Sequence, residues 1–271
     1  MAPRVWFITG ASSGFGFLMA KTALANGEKV VATLRKPEVI SAFAAQYTKD
    51  QLIVLKLDVT KPEDITAGFA AAKEAFGRID ILFNNAGVSL RSTSGGAVNV
   101  TKAAIPFLRD VNKPSGGILI NMSSMLGIDA APGAGFYAAT KFALEAVTDS
   151  VARELDPAWN IRVMIFCPGY FKTNIHIVNA EIEPVHSAYA GNEKLGSIQT
   201  RAVFAGLVRG DSPLFQDPTK LINKVWDIVN LENPPYRVAF GEDAKALFQA
   251  KLTSLKKDLE ASEEWSKDLT Y

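Results

Sequence analysis

Short runs of β-branched and other apolar residues alternate along the chain with longer Ala-rich stretches whose polar positions recur at helical spacing. Val5 to Thr9, Lys29 to Leu34, Leu52 to Leu57, Ile81 to Phe83, Gly117 to Met122, Ile161 to Phe166 and Arg237 to Phe240 read as seven strands, each bounded by Gly, Pro, Asp or Asn. The first six alternate with helices. That is the pattern of βαβ units, so it predicts an α/β fold whose parallel sheet is covered on both faces.

The helices have legible ends. Thr60-Lys61-Pro62-Glu63 sets a hydroxyl three residues ahead of a carboxylate with Pro between, which predicts a capping box, and Gly77 closes that segment. Another helix is expected to begin near Phe136. Beyond Pro168 the alternation breaks, and residues 172–216 mix Ile175, Ile177, Val178, Ile182, Val185 and Tyr189 with Asn, Gly and His. We read this stretch as a lid over a site, within one domain spanning 1–271. Residues 217–271 then supply one more helix, a last strand and a charged terminal helix.

Composition narrows the partners. Lys and Arg total 29 against 28 Asp and Glu. A surface without a large field of either sign gives no reason to expect nucleic acid or an anionic membrane, and favours small-molecule chemistry. No apolar run approaches the ~18 residues of a membrane span. The single cysteine, Cys167, lies in an apolar run where a buried small side chain is expected. With no targeting segment ahead of Arg4-Val5-Trp6-Phe7-Ile8, the expected location is the cytoplasm.

Candidate chemistry begins at Thr9-Gly10-Ala11-Ser12-Ser13-Gly14-Phe15-Gly16, a glycine cluster that leaves the first strand and opens a helix. This arrangement brings a pyrophosphate onto helix N-terminal amides, with Gly10 in the tight turn and Gly14 and Gly16 allowing close approach. Many NAD sites place an acidic residue at the end of the second strand to hold the ribose 2'-hydroxyl. Here that end reads Ala32-Thr33-Leu34-Arg35-Lys36. Arg35 and Lys36, helped by the Ser12 and Ser13 hydroxyls, suit a 2'-phosphate, so NADP(H) is the expected cofactor. Asp58, in Leu57-Asp58-Val59, offers its carboxylate either to an adenine amino group or to the helix that follows. Asn84-Asn85-Ala86-Gly87 ends the fourth strand, where its amides either bind cofactor or tie neighbouring strands together.

A second cluster completes the reaction. Ser124 follows the strand Ile118-Leu119-Ile120-Asn121-Met122, at the carboxyl end where open α/β sheets bind ligands. Tyr137 and Lys141 are four apart on the next helix and share a face. Carbonyl reduction needs hydride at carbon and a proton at oxygen. The cofactor would give the first and Tyr137 the second, while Ser124 holds the carbonyl oxygen and Lys141 positions the ribose and lowers the phenol's affinity for its proton. His176 and His186 form no metal cluster or Ser-His-Asp set with other residues.

In this order and spacing the chain resembles the short-chain dehydrogenase/reductase family over nearly its whole length, through Gly241-Glu242-Asp243-Ala244. The resemblance implies a single doubly wound Rossmann-like domain with a seven-stranded parallel sheet, and homodimers or homotetramers built through long helices. It also implies that Pro168, Gly169 and Thr173, standing as Pro-Gly-x3-Thr, contact the nicotinamide end. The Arg35 ending looks like that of NADP(H)-preferring members acting on steroids, retinoids and other lipophilic carbonyls or alcohols, which agrees with apolar Phe171, Ile175, Ile177, Val178 and Ile182. One departure stands out. Family members carry an Asn-Val-x-Gly segment with a catalytic asparagine after Asn84-Asn85-Ala86-Gly87, whereas Ser92-Thr93-Ser94-Gly95-Gly96 stands here. Anchoring on Val100-Thr101-Lys102-Ala103 puts Thr93 at the asparagine's place and Asn99 further along a shortened helix from Ala97 to Arg109. The alternative reading is an NADPH-binding protein with little catalysis.

Overall fold

The computed structural model describes residues 2–87, 93–174 and 185–270. Seven parallel strands form one sheet: β1 (Val5–Thr9), β2 (Lys29–Leu34), β3 (Leu52–Lys56), β4 (Ile81–Asn84), β5 (Gly117–Met122), β6 (Ile161–Pro168) and β7 (Arg237–Phe240). All seven expected strands are present, β3 one residue shorter than read, β4 one longer and β6 two longer. Their spatial order is β3-β2-β1-β4-β5-β6-β7, so the direction of progression reverses between β1 and β4. At such a reversal the crossover helices leave toward opposite faces and open a crevice beyond the strands' carboxyl ends.

Eight helices among the described residues cover the sheet: α1 (Gly14–Ala25), the single turn α2 (Ser41–Ala44), α3 (Pro62–Phe76), α4 (Thr93–Pro106), α5 (Gly135–Glu154), α6 (Gly196–Arg209), α7 (Pro218–Val229) and α8 (Glu242–Ser262). Strand alternation sorts β1 onto two cores. Trp6 and Ile8 join Met19 and Leu24 of α1 and Leu221, Ile222 and Val225 of α7, while Val5 and Phe7 join Phe69 and Ala72 of α3 and Val100 and Ala104 of α4. Every residue of β1 is therefore buried, as a central strand of a doubly covered sheet requires.

Some ends differ from expectation. Pro62 takes the first position of α3 and Gly77 closes it in the left-handed region at φ 74°, but no side chain caps its start. The Thr60 hydroxyl is drawn instead to Asp58, whose Oδ1 also accepts from the Thr60 amide at 3.0 Å. Two bonds to one carboxylate oxygen outcompete a single bond to the helix. Helix α4 starts at Thr93, four residues before the expected Ala97, and passes at Pro106 into a wider turn over Phe107–Val111. Lys61 to Gly77, Gly135 to Glu154 and the terminal helix otherwise lie where the pattern put them. Ile175, His176, Ile177, Val178 and Ile182 lie outside the described residues; within the rest of 172–216, a short turn (Ser187–Tyr189) and α6 are formed.

At the carboxyl ends of the central strands, buried polar side chains bond one another and the helix that follows. Asn84 donates to the Ala97 carbonyl of α4 and to Asn121 Oδ1 of β5, both at 2.8 Å, and accepts from the Thr9 hydroxyl of β1 at 3.2 Å. Asn121 in turn donates to Thr148 of α5 at 2.9 Å. Replacing Asn84 by Ala removes the donor that joins these elements, and the single Thr101 hydroxyl proton, within reach of both acceptors, can fully serve only one. We expect a loss of about 2 kcal/mol, read as a lower urea midpoint; an unchanged midpoint would contradict this account of the switch point.

Candidate active site

The glycine turn is held from both sides. Thr9 Oγ1 accepts from the amides of Asn85 and Ala86 at 2.9 Å, and Asn85 Nδ2 donates to the Thr9 carbonyl at 3.1 Å. Gly10 turns at φ 69°, and a Cβ on Gly16 would stand 2.4 Å from the Gly10 carbonyl oxygen, so this close return of chain on chain requires glycine. The Asn85 amide thus serves the turn itself, which is the structural one of its two expected roles.

The start of α1 is open to an anion. Ser13, extended at the N-cap, makes no side-chain capping bond, and no acidic residue lies in the first turn. Free amides and the positive end of the helix dipole point out beside half-buried Gly14 and exposed Ser12. The site expected for a pyrophosphate is physically suited to one. Phe15 turns away from it, its ring edge-on to Phe171 at 5.6 Å.

Arg35 and Lys36 are exposed at the end of β2, with no carboxylate on that strand. Across from them Asp58 is half-buried, and its carboxyl is held below the usual range by the bonds from Thr60, with Arg35 and Lys61 adding attraction. Asp58 is therefore charged and partly engaged already. Val59 lies against α4, where a Cβ on Gly96 would meet its Cγ2 at 2.6 Å. Gly87 and Ala86 are half-buried beside the glycine turn; Gly10 approaches Ala86 so closely that a Cβ would lie 3.0 Å from its Cα.

The segment after β6 closes the other side. Gly169 donates to the Phe240 carbonyl at 2.9 Å, and a Cβ there would sit 2.2 Å from the Asp243 carboxylate. Asp243 accepts from the Tyr170 amide and from Gln216 Nε2, each at 2.7 Å. This loop carries buried Thr173 back to the glycine turn, 3.5 Å from where a Gly14 Cβ would stand. Of the three expected residues, Thr173 thereby stands beside Gly14, while Pro168 ends β6 and Gly169 lies against Asp243.

Ser124, buried at the carboxyl end of β5, caps the turn Met125–Gly127 by accepting from the Leu126 amide at 3.2 Å. The Tyr137 ring packs against Met125 and Leu126 of the same turn, which brings together two side chains 13 positions apart in sequence. Burial raises the phenol's pKa, the neighbouring Ser124 hydroxyl opposes that rise, and Tyr170 adds to it. Lys141 is 7% exposed, donates to the Met122 carbonyl at 2.9 Å and lies 5.9 Å from the Tyr137 ring centre. Burial brings its pKa down to about 8, with Cys167 and Glu145 pulling it back up. The expected lowering of the Tyr137 pKa by Lys141 is not seen in this protein on its own. Dehydration sets the direction, and the ammonium is directed at a backbone carbonyl and not at the phenol.

Beneath this group lies a set that sequence reasoning missed. Glu145 is buried, accepts from Ser123 at 2.6 Å and from Cys167 at 3.4 Å, and pairs with Arg237 of β7 at 3.1 Å. Arg237 also reaches Asp149 at 3.0 Å. Gly127 has no room for a Cβ, which would stand 2.0 Å from Glu145 Oε1. The signal was present in the spacing: Tyr137, Lys141, Glu145 and Asp149 recur every four residues on an otherwise Ala-rich helix. Burial raises the Cys167 thiol, which keeps it protonated and unreactive, as the apolar run suggested. Among the described residues no cluster suited to a metal occurs and no helix is long and apolar enough to cross a membrane.

Comparison with known proteins agrees with this geometry. The chain is 34% identical to the oxidoreductase calM of Penicillium decumbens, over 98% of this chain and 92% of that protein. That alignment runs over 289 positions against 271 residues here, so the relative holds residues with no counterpart in this chain. It is 30% identical to the 3-ketodihydrosphingosine reductase of Bacteroides thetaiotaomicron, over 92% of this chain and 91% of that one. A solved short-chain dehydrogenase from Streptomyces avermitilis superposes with a TM-score of 0.83 at 33% identity, covering 99% of both chains. The short chain dehydrogenase pattern itself matches residues 4–182. With this crevice, this strand order and these matches, the chain belongs to the short-chain dehydrogenase family of oxidoreductases.

Proposed function

We propose that the protein interconverts lipophilic ketones or aldehydes and the corresponding secondary alcohols with NADP(H). The observation that carries this reading is the grouping at the carboxyl end of β5, where Tyr137 packs on the turn that Ser124 caps and the Lys141 ammonium is buried 5.9 Å from the phenol ring. When bound, NADPH supplies the hydride. Ser124 holds the carbonyl oxygen, Tyr137 delivers its proton to that oxygen, and Lys141 holds the ribose and supplies positive charge beside the phenol. Gly10, Ser12, Ser13, Gly14 and Gly16 receive the pyrophosphate and adjoining phosphate; Asp58, Asn85, Ala86, Gly87, Pro168, Gly169 and Thr173 line the remaining length. Arg35, without a carboxylate neighbour on β2, supports the 2'-phosphate. The apolar positions of the segment 172–216 support a lipophilic substrate under a lid, as does the lipid-derived substrate named for the Bacteroides relative. A buried, protonated Cys167 fits a reducing, cytosolic setting.

A second reading, cofactor binding with weak turnover, is favoured by one observation: the position eight before Thr101 is Thr93, at the very start of α4, and not asparagine.

Three measurements test these assignments. NADPH consumption over a panel of aromatic and alicyclic ketones should fall at least ~100-fold in Tyr137→Phe. Equal rates in both proteins would sink the proton-donor role, and turnover in neither would leave the second reading. Arg35→Ala should reduce the preference for NADPH over NADH about tenfold or more, measured as a ratio of dissociation constants; an unchanged ratio would refute the 2'-phosphate contact. For Lys141 the sign follows from its lowered pKa. The unfolded chain binds this proton more tightly, so stability should rise as pH rises from about 8 toward the ordinary lysine value of 10.5. Lys141→Met should flatten that slope in urea titrations, and parallel curves would show that the amine is not dehydrated.

A further inference from the structure

Helix α8 runs from Glu242–Ser262, yet only Ala244 is buried on it. Leu252, Leu255 and Leu259 are 65%, 51% and 72% exposed. They are not scattered. With half-buried Phe248 they recur at intervals of four, three and four, the spacing that keeps apolar side chains on one seam between paired helices. The same stripe begins at Ala244, which with Leu247 rests on Met125, Leu126 and Ala138. The helix therefore lays its first turns on the protein and carries that apolar face onward into solvent.

The charges beside the seam select its occupant. Lys245, Lys251, Lys256 and Lys257 come first; Asp258, Glu260, Glu263 and Glu264 follow. Of the two carboxylates at the helix start, Asp243 is engaged by Tyr170 and Gln216, and Glu242 lies 3.7 Å from Lys245. An anionic lipid surface would meet four carboxylates along with the lysines, which disfavours it. A second copy lying parallel would set lysines beside lysines and carboxylates beside carboxylates. Lying antiparallel, it sets Lys251 of each helix on the same side of the seam as Asp258 of the other, and Lys245 toward the other's Glu260 and Glu263. It also stacks Leu252 on Leu255 and Phe248 on Leu259. Lys251 already reaches Asp129 at 3.4 Å and Lys256 reaches Glu260 at 3.9 Å, contacts exposed enough to be shared with an incoming carboxylate.

We propose that a second copy of this chain docks antiparallel along the Phe248–Leu259 seam of α8. The full-length protein is compared with Leu255→Glu and Leu259→Glu by sedimentation velocity between 1 and roughly 100 μM, a range chosen for a contact of one helix pair. Circular dichroism checks that these exposed substitutions leave the fold intact. The expected result is self-association by the wild type that shifts at least tenfold to higher concentration in either variant and weakens in high salt. A wild type that stays monomeric throughout overturns the proposal, as does a dimer that both variants preserve, which would use another face. Orientation is read with Ser262→Cys. Antiparallel helices hold the two thiols far apart and give no disulfide between copies, so efficient cross-linking at 262 rejects the arrangement. Leucine-dependent flotation with anionic vesicles, without self-association, would show the seam to be lipid-facing and would also reject it.

Discussion

The fold turns on how a parallel sheet finishes. Each strand arrives at its carboxyl end with backbone groups that its neighbours do not satisfy, and the doubly covered sheet keeps water from most of them. In this chain Thr9 Oγ1 accepts the amides that follow β4, and the buried side chains of Asn84, Thr101, Asn121 and Thr148 tie the strand ends to one another and to α4 and α5. Because Asn84 spends its donors on α4 and β5 and its oxygen on β1, the three elements bordering the crevice share one register. The glycine turn inherits that register through Asn85, and α5 inherits it through Thr148. Tyr137 and Lys141 are thus placed relative to Gly10 by polar bonds as well as by packing.

Much of this was legible in sequence because it is written locally. Strands such as Val5–Thr9 and Gly117–Met122 are short apolar runs with abrupt polar ends, and their boundaries were read to the residue. Gly10, Gly14 and Gly16 announced themselves because only glycine tolerates the backbone there. What escaped was decided by competition between distant or alternative partners. Thr60 had the right spacing for a cap, but Asp58 offered it a better acceptor. The pull of Lys141 on Tyr137 was argued from their separation along a helix. The burial that sets the phenol's direction comes partly from Met125 and Leu126, more than ten residues earlier in the chain, and the Lys141 ammonium is turned to the Met122 carbonyl.

Glu145 illustrates the same limit from the other side. In sequence it is an unremarked acid on a helix that carries several; in the fold it is a buried carboxylate joined to Ser123, Cys167 and Arg237. Its cost of dehydration is offset only while all of these remain in place. The last strand of the sheet is therefore coupled to the residue preceding Ser124 through a single carboxylate.

The contact between Gly169 and Asp243 has a consequence for how such a protein can change over time. The loop beside the crevice and the first turn of α8 meet where a methyl group would overlap a carboxylate. Neither position can drift alone: a larger residue at 169 is admissible only after Asp243 has shrunk or moved, and an Asp243 that moves releases Tyr170 and Gln216. Two segments more than 70 residues apart are bound into one heritable unit, and variation of this loop must pass through paired substitutions at 169 and 243 or leave both residues untouched.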